Sequence, residues 1–174
     1  MAWTVFIDGK EGTTGLRIFD RLAERGEFSL LTLPEEKRKD ADARREAIHA
    51  ADIAILCLPD AAARESVALA EGSKTRILDT STAHRVAPGW AYGFPELSKK
   101  HRDAVVSGQY VAVPGCHASG FIALAAPLVA AGLIPADALL SCFSLTGYSG
   151  GGKKMIAQYE ADTRTPDLDA PRPY

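Results

Sequence analysis

The sequence predicts an α/β fold, a parallel sheet with helices on both faces. Three observations carry this. Strand-like and helix-like segments alternate without a break through roughly the first half of the chain, which argues a parallel sheet with crossover helices. A glycine-rich turn joins the first strand to the first helix. The third strand is apolar throughout, as a strand buried on both faces should be.

The elements follow in order. Trp3 to Ile7 is a short apolar, β-rich run and reads as a strand. Asp8 to Gly15 is rich in glycine. Between Thr14 and Arg25, Leu16, Phe19 and Leu22 recur at helical spacing, with Ile18 and Ala23 widening the face. Phe28 to Leu33 is a second strand, stopped by Pro34. Lys39 to Ala50 is a polar helix with Ala43, Ala47 and Ile48 on one side. Asp52 to Leu58 is the third strand, and Pro59 to Ala70 an alanine-rich helix that accepts proline in its first turn. Arg76 to Leu78 starts a fourth strand that runs into Asp79-Thr80-Ser81-Thr82. Residues 83–100 read as loop, with Pro88-Gly89 and Pro95. Val105-Val106 and Tyr110 to Val113 read as two more short strands. His117 to Ala131 reads as a helix that Pro127 would kink, and Leu139 to Thr146 as a strand. A glycine-rich loop from Gly147 leads to a helix over Met155 to Ala161, and the remainder is proline-rich.

Bulk properties narrow the function. With 47% hydrophobic and 24% charged residues the chain has the composition of a soluble globular protein. A net charge of −2 supplies no basic surface for nucleic acid, and none is expected as a partner. Three cysteines without close pairing make no disulfide framework, so a reducing, cytoplasmic compartment is expected. The chain opens on a strand with no basic leader. Its longest apolar stretch, Phe121 to Leu133, is interrupted by Pro127 and Gly132, so no membrane association is expected.

Gly9, Gly12 and Gly15 form a G-x-x-G-x-x-G pattern at the strand-to-helix turn. Glycine there allows a tight turn and close approach of a phosphate, and the helix start offers N–H donors. Together with the alternation this makes the predicted sheet Rossmann-like. The residues after the second strand should meet the adenosine ribose. They are Glu35, Glu36, Lys37, Arg38 and Lys39. A carboxylate there would suit NAD and a basic residue NADP. Both signs are present, with Lys37 to Lys39 leaning toward NADP.

Cys116 follows a Pro114-Gly115 turn at the end of an apolar run, where a helical pattern begins. A thiol at a helix start meets free N–H groups and the positive dipole end, which favour thiolate, the nucleophilic form. Cys57 and Cys142 lie inside apolar runs and read as packing residues.

Five motifs occur together and in a recognisable order: Gly9-Lys10-Glu11-Gly12-Thr13-Thr14-Gly15, Asp79-Thr80-Ser81-Thr82-Ala83-His84-Arg85, Tyr92-Gly93-Phe94-Pro95-Glu96-Leu97, Pro114-Gly115-Cys116, and Gly147-Tyr148-Ser149-Gly150-Gly151-Gly152-Lys153-Lys154. In this the sequence resembles the short-chain N-acetyl-gamma-glutamyl-phosphate reductases, within the semialdehyde dehydrogenase superfamily. The resemblance implies a Rossmann-like NADP-binding domain over residues 1–115 and the start of an α+β substrate and dimerisation domain over 116–174. It implies NADPH-dependent reduction of N-acetyl-gamma-glutamyl phosphate to the semialdehyde in arginine biosynthesis, with Cys116 as nucleophile. Gly9, Gly12, Thr13, Thr14, Gly15, Lys37, Arg38, Ser81 and Thr82 are the expected cofactor contacts. Arg85, Lys153 and Lys154 are the expected contacts to the substrate phosphate or carboxylate. No metal is expected, and a homo-oligomer is expected of the complete protein.

Asn commonly precedes the cysteine in aspartate-semialdehyde dehydrogenases, so Pro-Gly-Cys speaks against that relative. His117 adjoins Cys116, but neighbouring side chains on a helix diverge. His49, His84 and His101 sit in no matching motif. The resemblance places the acid/base histidine after the Lys153-Lys154 loop, so the sequence reads as the N-terminal part of a longer protein. A nucleotide-binding fragment without chemistry is the competing expectation.

Overall fold

A computed structural model of the chain describes residues 2–10 and 13–172. Six strands form one parallel sheet: β1 (Trp3–Asp8), β2 (Phe28–Leu31), β3 (Ile53–Leu56), β4 (Arg76–Asp79), β5 (Ala91–Tyr92) and β6 (Tyr110–Ala112), in the order β2-β1-β3-β4-β6-β5. All pairs are parallel, with Val5 opposite Ile53, Ile53 opposite Arg76, and Leu78 opposite Val111. Helices α1 (Thr13–Ala23), α2 (Ala41–Ala50), α3 (Asp60–Leu69) and α4 (Lys99–Ser107) lie between successive strands. The predicted parallel α/β sheet is therefore the observed one.

The core gathers where α2 and α3 meet the sheet. Phe6, Ile48, Leu56 and Ile77 are almost or wholly removed from water there, packed with Ala47, Ala54 and Ala70. Small side chains at these alanines let helix and sheet approach closely. The helix ends are tied by side chains. Asp40 accepts from the Ala43 N–H at 2.7 Å to start α2. The Thr75 hydroxyl donates to Ile48 O at 2.7 Å, joining the Ala51 N–H on that carbonyl at the end of α2.

Three sequence expectations are corrected. Val105-Val106 is not a strand but the end of α4. Ser98 caps that helix by accepting from the His101 N–H, and the Arg76 guanidinium donates to Val105 O. Capping and tertiary contact override β-branched propensity at such a short run. Leu139 to Thr146 forms no strand and is largely exposed. Among the described residues it has no ladder partner, and a strand needs one. Conversely, β5 lies in a segment that reads as loop, because two residues cannot show a period.

Helix α5 (Cys116–Ala130) has no buried residue although most of its residues are apolar, and Phe121, Leu124 and Leu128 are exposed. Pro127 lies inside it and supplies no N–H to the preceding turn. Helix α6 spans Gly152–Tyr159. The chain divides into two compact units, residues 1–139 and 140–174. No helix of the described residues is long and apolar enough to cross a membrane.

Candidate active site

The order of strands reverses between β1 and β3, and in open parallel sheets ligands gather past the carboxyl ends at such a switch. The residues found there are Asp8 at the end of β1, Gly9 just past it, and Cys57 just past β3. Gly9 has φ +83, and a β-carbon on it would stand 2.4 Å from Cys57 O. Only glycine fits this position. A β-carbon on Gly15 would stand 2.5 Å from Gly9 O, so α1 packs directly on the turn. A first helical turn leaves its N–H groups without helix partners, and Thr14 in that turn is exposed. Thr13 opens α1. Gly12 lies outside the described residues.

Beside this turn is a groove of about 860 Å³, the size of a cofactor site. Gly9, Lys10, Glu35, Glu36, Arg38 and Lys39 are among its walls. Lys37 is exposed on the same short turn, Glu35–Lys37, and Arg38 pairs with Glu35. These residues fit a dinucleotide. The glycine cradle and the start of α1 suit a pyrophosphate, and the mixed charges after β2 face a ribose end.

A buried ion pair underlies the groove, and the sequence reading does not single it out. Arg44 of α2 donates through Nε and Nη2 to Asp8 Oδ2 at 3.2 and 3.1 Å. The Ser66 hydroxyl of α3 donates to the same oxygen at 2.8 Å. Arg44 Nη1 reaches the half-exposed Glu65 at 2.9 Å. The end of β1 is thus fastened to two helices immediately before Gly9. Only the appearance of an arginine on the otherwise small, apolar side of α2 could have signalled it.

Past β4, the buried Asp79 gathers its own loop. Its Oδ2 meets His84 Nδ1 at 2.6 Å and the Ser81 hydroxyl at 2.7 Å, and its Oδ1 accepts the Ser81 N–H at 2.9 Å. His84 stacks on Trp90 at 4.2 Å. Ser81 is buried, and its hydroxyl oxygen also accepts the Ala83 N–H. Thr82 is exposed, with its N–H and hydroxyl given to the Asp60 carboxylate at the start of α3. Those two bonds hold the Asp60 carboxyl below the usual carboxylate range. The described side chains of Ser81 and Thr82 therefore build the loop.

Cys116 is the first residue of α5, with Gly115 as N-cap, and it is exposed. The Ser119 N–H and hydroxyl both donate to Gly115 O at 2.8 Å, fastening the first turn. Arg85 stands behind this turn. Its Nε donates to Val113 O and its Nη2 to Thr80 O, both at 3.1 Å. Cys57 differs sharply from Cys116. Burial pushes its thiol up to about 11, against a smaller opposing effect of Thr80. The structure thus gathers Gly9 and Arg38 around one groove, packs Gly15 against the Gly9 turn, and sets Arg85 beside the Cys116 turn. Lys153 and Lys154 are exposed in the first turn of α6, in the 140–174 unit.

Comparison with known proteins shows the family of the chain. The family described as semialdehyde dehydrogenase, NAD binding domain, matches residues 4–105, and its dimerisation domain matches residues 116–173. An N-acetyl-gamma-glutamyl-phosphate reductase from Chelativorans sp. is 56% identical over 160 residues, covering 92% of this chain and 52% of the relative. One from Brucella ovis is 54% identical, covering 94% and 53%. The chain spans about half the length of the curated relatives it matches. Among solved structures, aspartate semialdehyde dehydrogenase from Francisella tularensis superposes with a TM-score of 0.66 at 16% identity, covering 97% of this chain and 53% of that one, a likeness of fold. The chain belongs to the semialdehyde dehydrogenase family.

Proposed function

We propose that the chain serves the NADPH-dependent reduction of N-acetyl-gamma-glutamyl phosphate to N-acetylglutamate 5-semialdehyde and phosphate, a step of arginine biosynthesis in the cytoplasm. The observation that carries this is the exposed Cys116 thiol at the start of α5, in a chain more than half identical to reductases of that name. The Cys116 sulfur attacks the acyl carbon, a C–S bond forms, and the C–O bond to phosphate breaks. Covalent capture divides one difficult reduction into two easier steps. NADPH, when bound, supplies the hydride that turns the thioester into the aldehyde and frees the thiolate.

Residues 1–115 hold the cofactor in this reading and 116–174 begin the catalytic and dimerisation domain. The turn of Gly9, Gly12 and Gly15, with Thr13 and Thr14, takes the pyrophosphate. Lys37 and Arg38 take the ribose phosphate of NADP, and Ser81 and Thr82 contact the cofactor from the loop past β4. Arg85, through the guanidinium donors that Val113 O and Thr80 O leave over, and Lys153 and Lys154 serve the substrate's phosphate or carboxylate, and a homo-oligomer is the working form.

The test is Cys116→Ser in the protein that carries this chain. Phosphate-dependent oxidation of the semialdehyde should vanish while NADPH still binds. Retained turnover would refute the reading. Aspartate semialdehyde, assayed alongside, should be a poor substrate.

A further inference from the structure

We propose that Arg85 is the positioning residue of the Cys116 turn: its guanidinium clamps the ends of β4 and β6 together and fixes the start of α5. The inference deepens the reading of Cys116 as nucleophile and rests on it. The observations are geometric. The fork of Arg85 ties Thr80 O, just past β4, to Val113 O, just past β6, at 3.1 Å each. The same two segments are already joined once, by the Val113 N–H donating to Asp79 O at 2.8 Å. The guanidinium adds a second tie on the outer side, one turn of chain before the thiol.

Gly115 is the other half of the device. A β-carbon there would stand 2.7 Å from Arg85 Nη1 and 3.2 Å from Cζ. Its φ of −77 is one that any residue adopts, so backbone strain does not call for glycine here. Glycine is needed because the guanidinium occupies the space a side chain would fill. A free arginine tip would swing away from a methyl group at little cost. This one can do so only by leaving the two carbonyls it holds. Arg85 is itself carried on the loop that Asp79, Ser81 and His84 bind together, so the clamp has a rigid mount.

Two things follow. Alanine at 115 should displace the fork and act like loss of the arginine. Lysine at 85 should not replace arginine, because one ammonium on a flexible stem cannot reproduce a planar fork.

The test is alkylation of the 174-residue chain by iodoacetamide, with each cysteine followed by peptide mass spectrometry. Exposed Cys142 is the internal reference, and half-buried Cys57 reports on folding. We expect Arg85→Gln, Arg85→Lys and Gly115→Ala each to lower the Cys116 rate relative to Cys142 by roughly fivefold, the scale of losing a helix-terminus interaction. The double variant Arg85→Gln/Gly115→Ala should fall no further than either single, since both remove one clamp. Lysine restoring the wild-type ratio would show that charge alone matters and overturn the proposal. So would an unchanged ratio in Gly115→Ala, or additive losses in the double variant. Rapid labelling of Cys57 in both Arg85→Gln and Gly115→Ala would mean the pair holds the whole fold, which also overturns it. The readout needs no turnover, so an active Cys116→Ser enzyme would refute the proposed reaction and leave this result standing.

Discussion

Replacing Arg44 by methionine removes a guanidinium and keeps a stem of similar bulk. Asp8 would then stay buried, about 4% exposed, with the Ser66 hydroxyl as its remaining described side-chain partner. Removing one member of a buried pair costs about 3–5 kcal/mol, because the other charge is left uncompensated. The contact with Glu65 adds at most about 1 kcal/mol, since that carboxylate is half in water. For a chain of this length each kcal/mol moves the melting temperature by about 2–4 °C, so Arg44→Met should melt roughly 6–20 °C lower. Both tryptophans, Trp3 and Trp90, lie in the 1–139 unit, so urea unfolding followed by their fluorescence reads the sheet alone. The double variant Asp8→Asn/Arg44→Met should recover at least half of the loss, because the orphaned charge is gone. As a control, removing the exposed Lys99–Asp103 pair should cost no more than about 0.5 kcal/mol. A loss below about 1 kcal/mol for Arg44→Met, or no recovery in the double variant, would refute the account of this pair as a fastening of β1.

Gly9→Ala should weaken NADPH binding about tenfold or more and cost about 1–3 kcal/mol in urea, from positive φ and the approach to Cys57 O; isothermal titration and denaturation check the two parts. Cys57 should stay unlabelled by iodoacetamide near pH 8, where Cys142 reacts, because its thiol is raised to about 11; equal labelling would contradict the burial. The Asp60–Thr82 tie depends on a carboxyl whose folded value is lowered, so it is present above the unfolded value and is lost as pH falls through the folded one. The protection factor of the Thr82 amide, its exchange rate corrected for the intrinsic pH dependence, should therefore be flat from neutrality down to the ordinary carboxylate range and fall only below it; a fall near neutrality would contradict the assignment.

The sheet was legible because its signals are local and repeated. Apolar runs at β1 and β3 and helical spacing in α2 and α3 each span enough residues to show a period. The glycine turn was legible because backbone geometry restricts residue choice there. What escaped is long-range. Asp8 and Arg44 are 36 positions apart and meet only once α2 lies on the sheet. Ser81 and Thr82 carry donors in the right loop, but which oxygen each serves depends on Asp79 and Asp60. Arg85 shows in sequence only as a cation after a loop, and the carbonyls it holds come from two strands. The Val105-Val106 error has the same origin, since Ser98 and Arg76 decide that segment from outside it.

The two-residue β5 and the four-residue β2 also limit what can pair with the edges of this sheet. They are the sheet's two borders, one followed closely by Gly93 and Pro95, the other by Pro34. Each offers too few open backbone groups to template another chain's strand. Edge-to-edge ribbon growth, the common hazard of an open sheet, is thereby blocked at both margins.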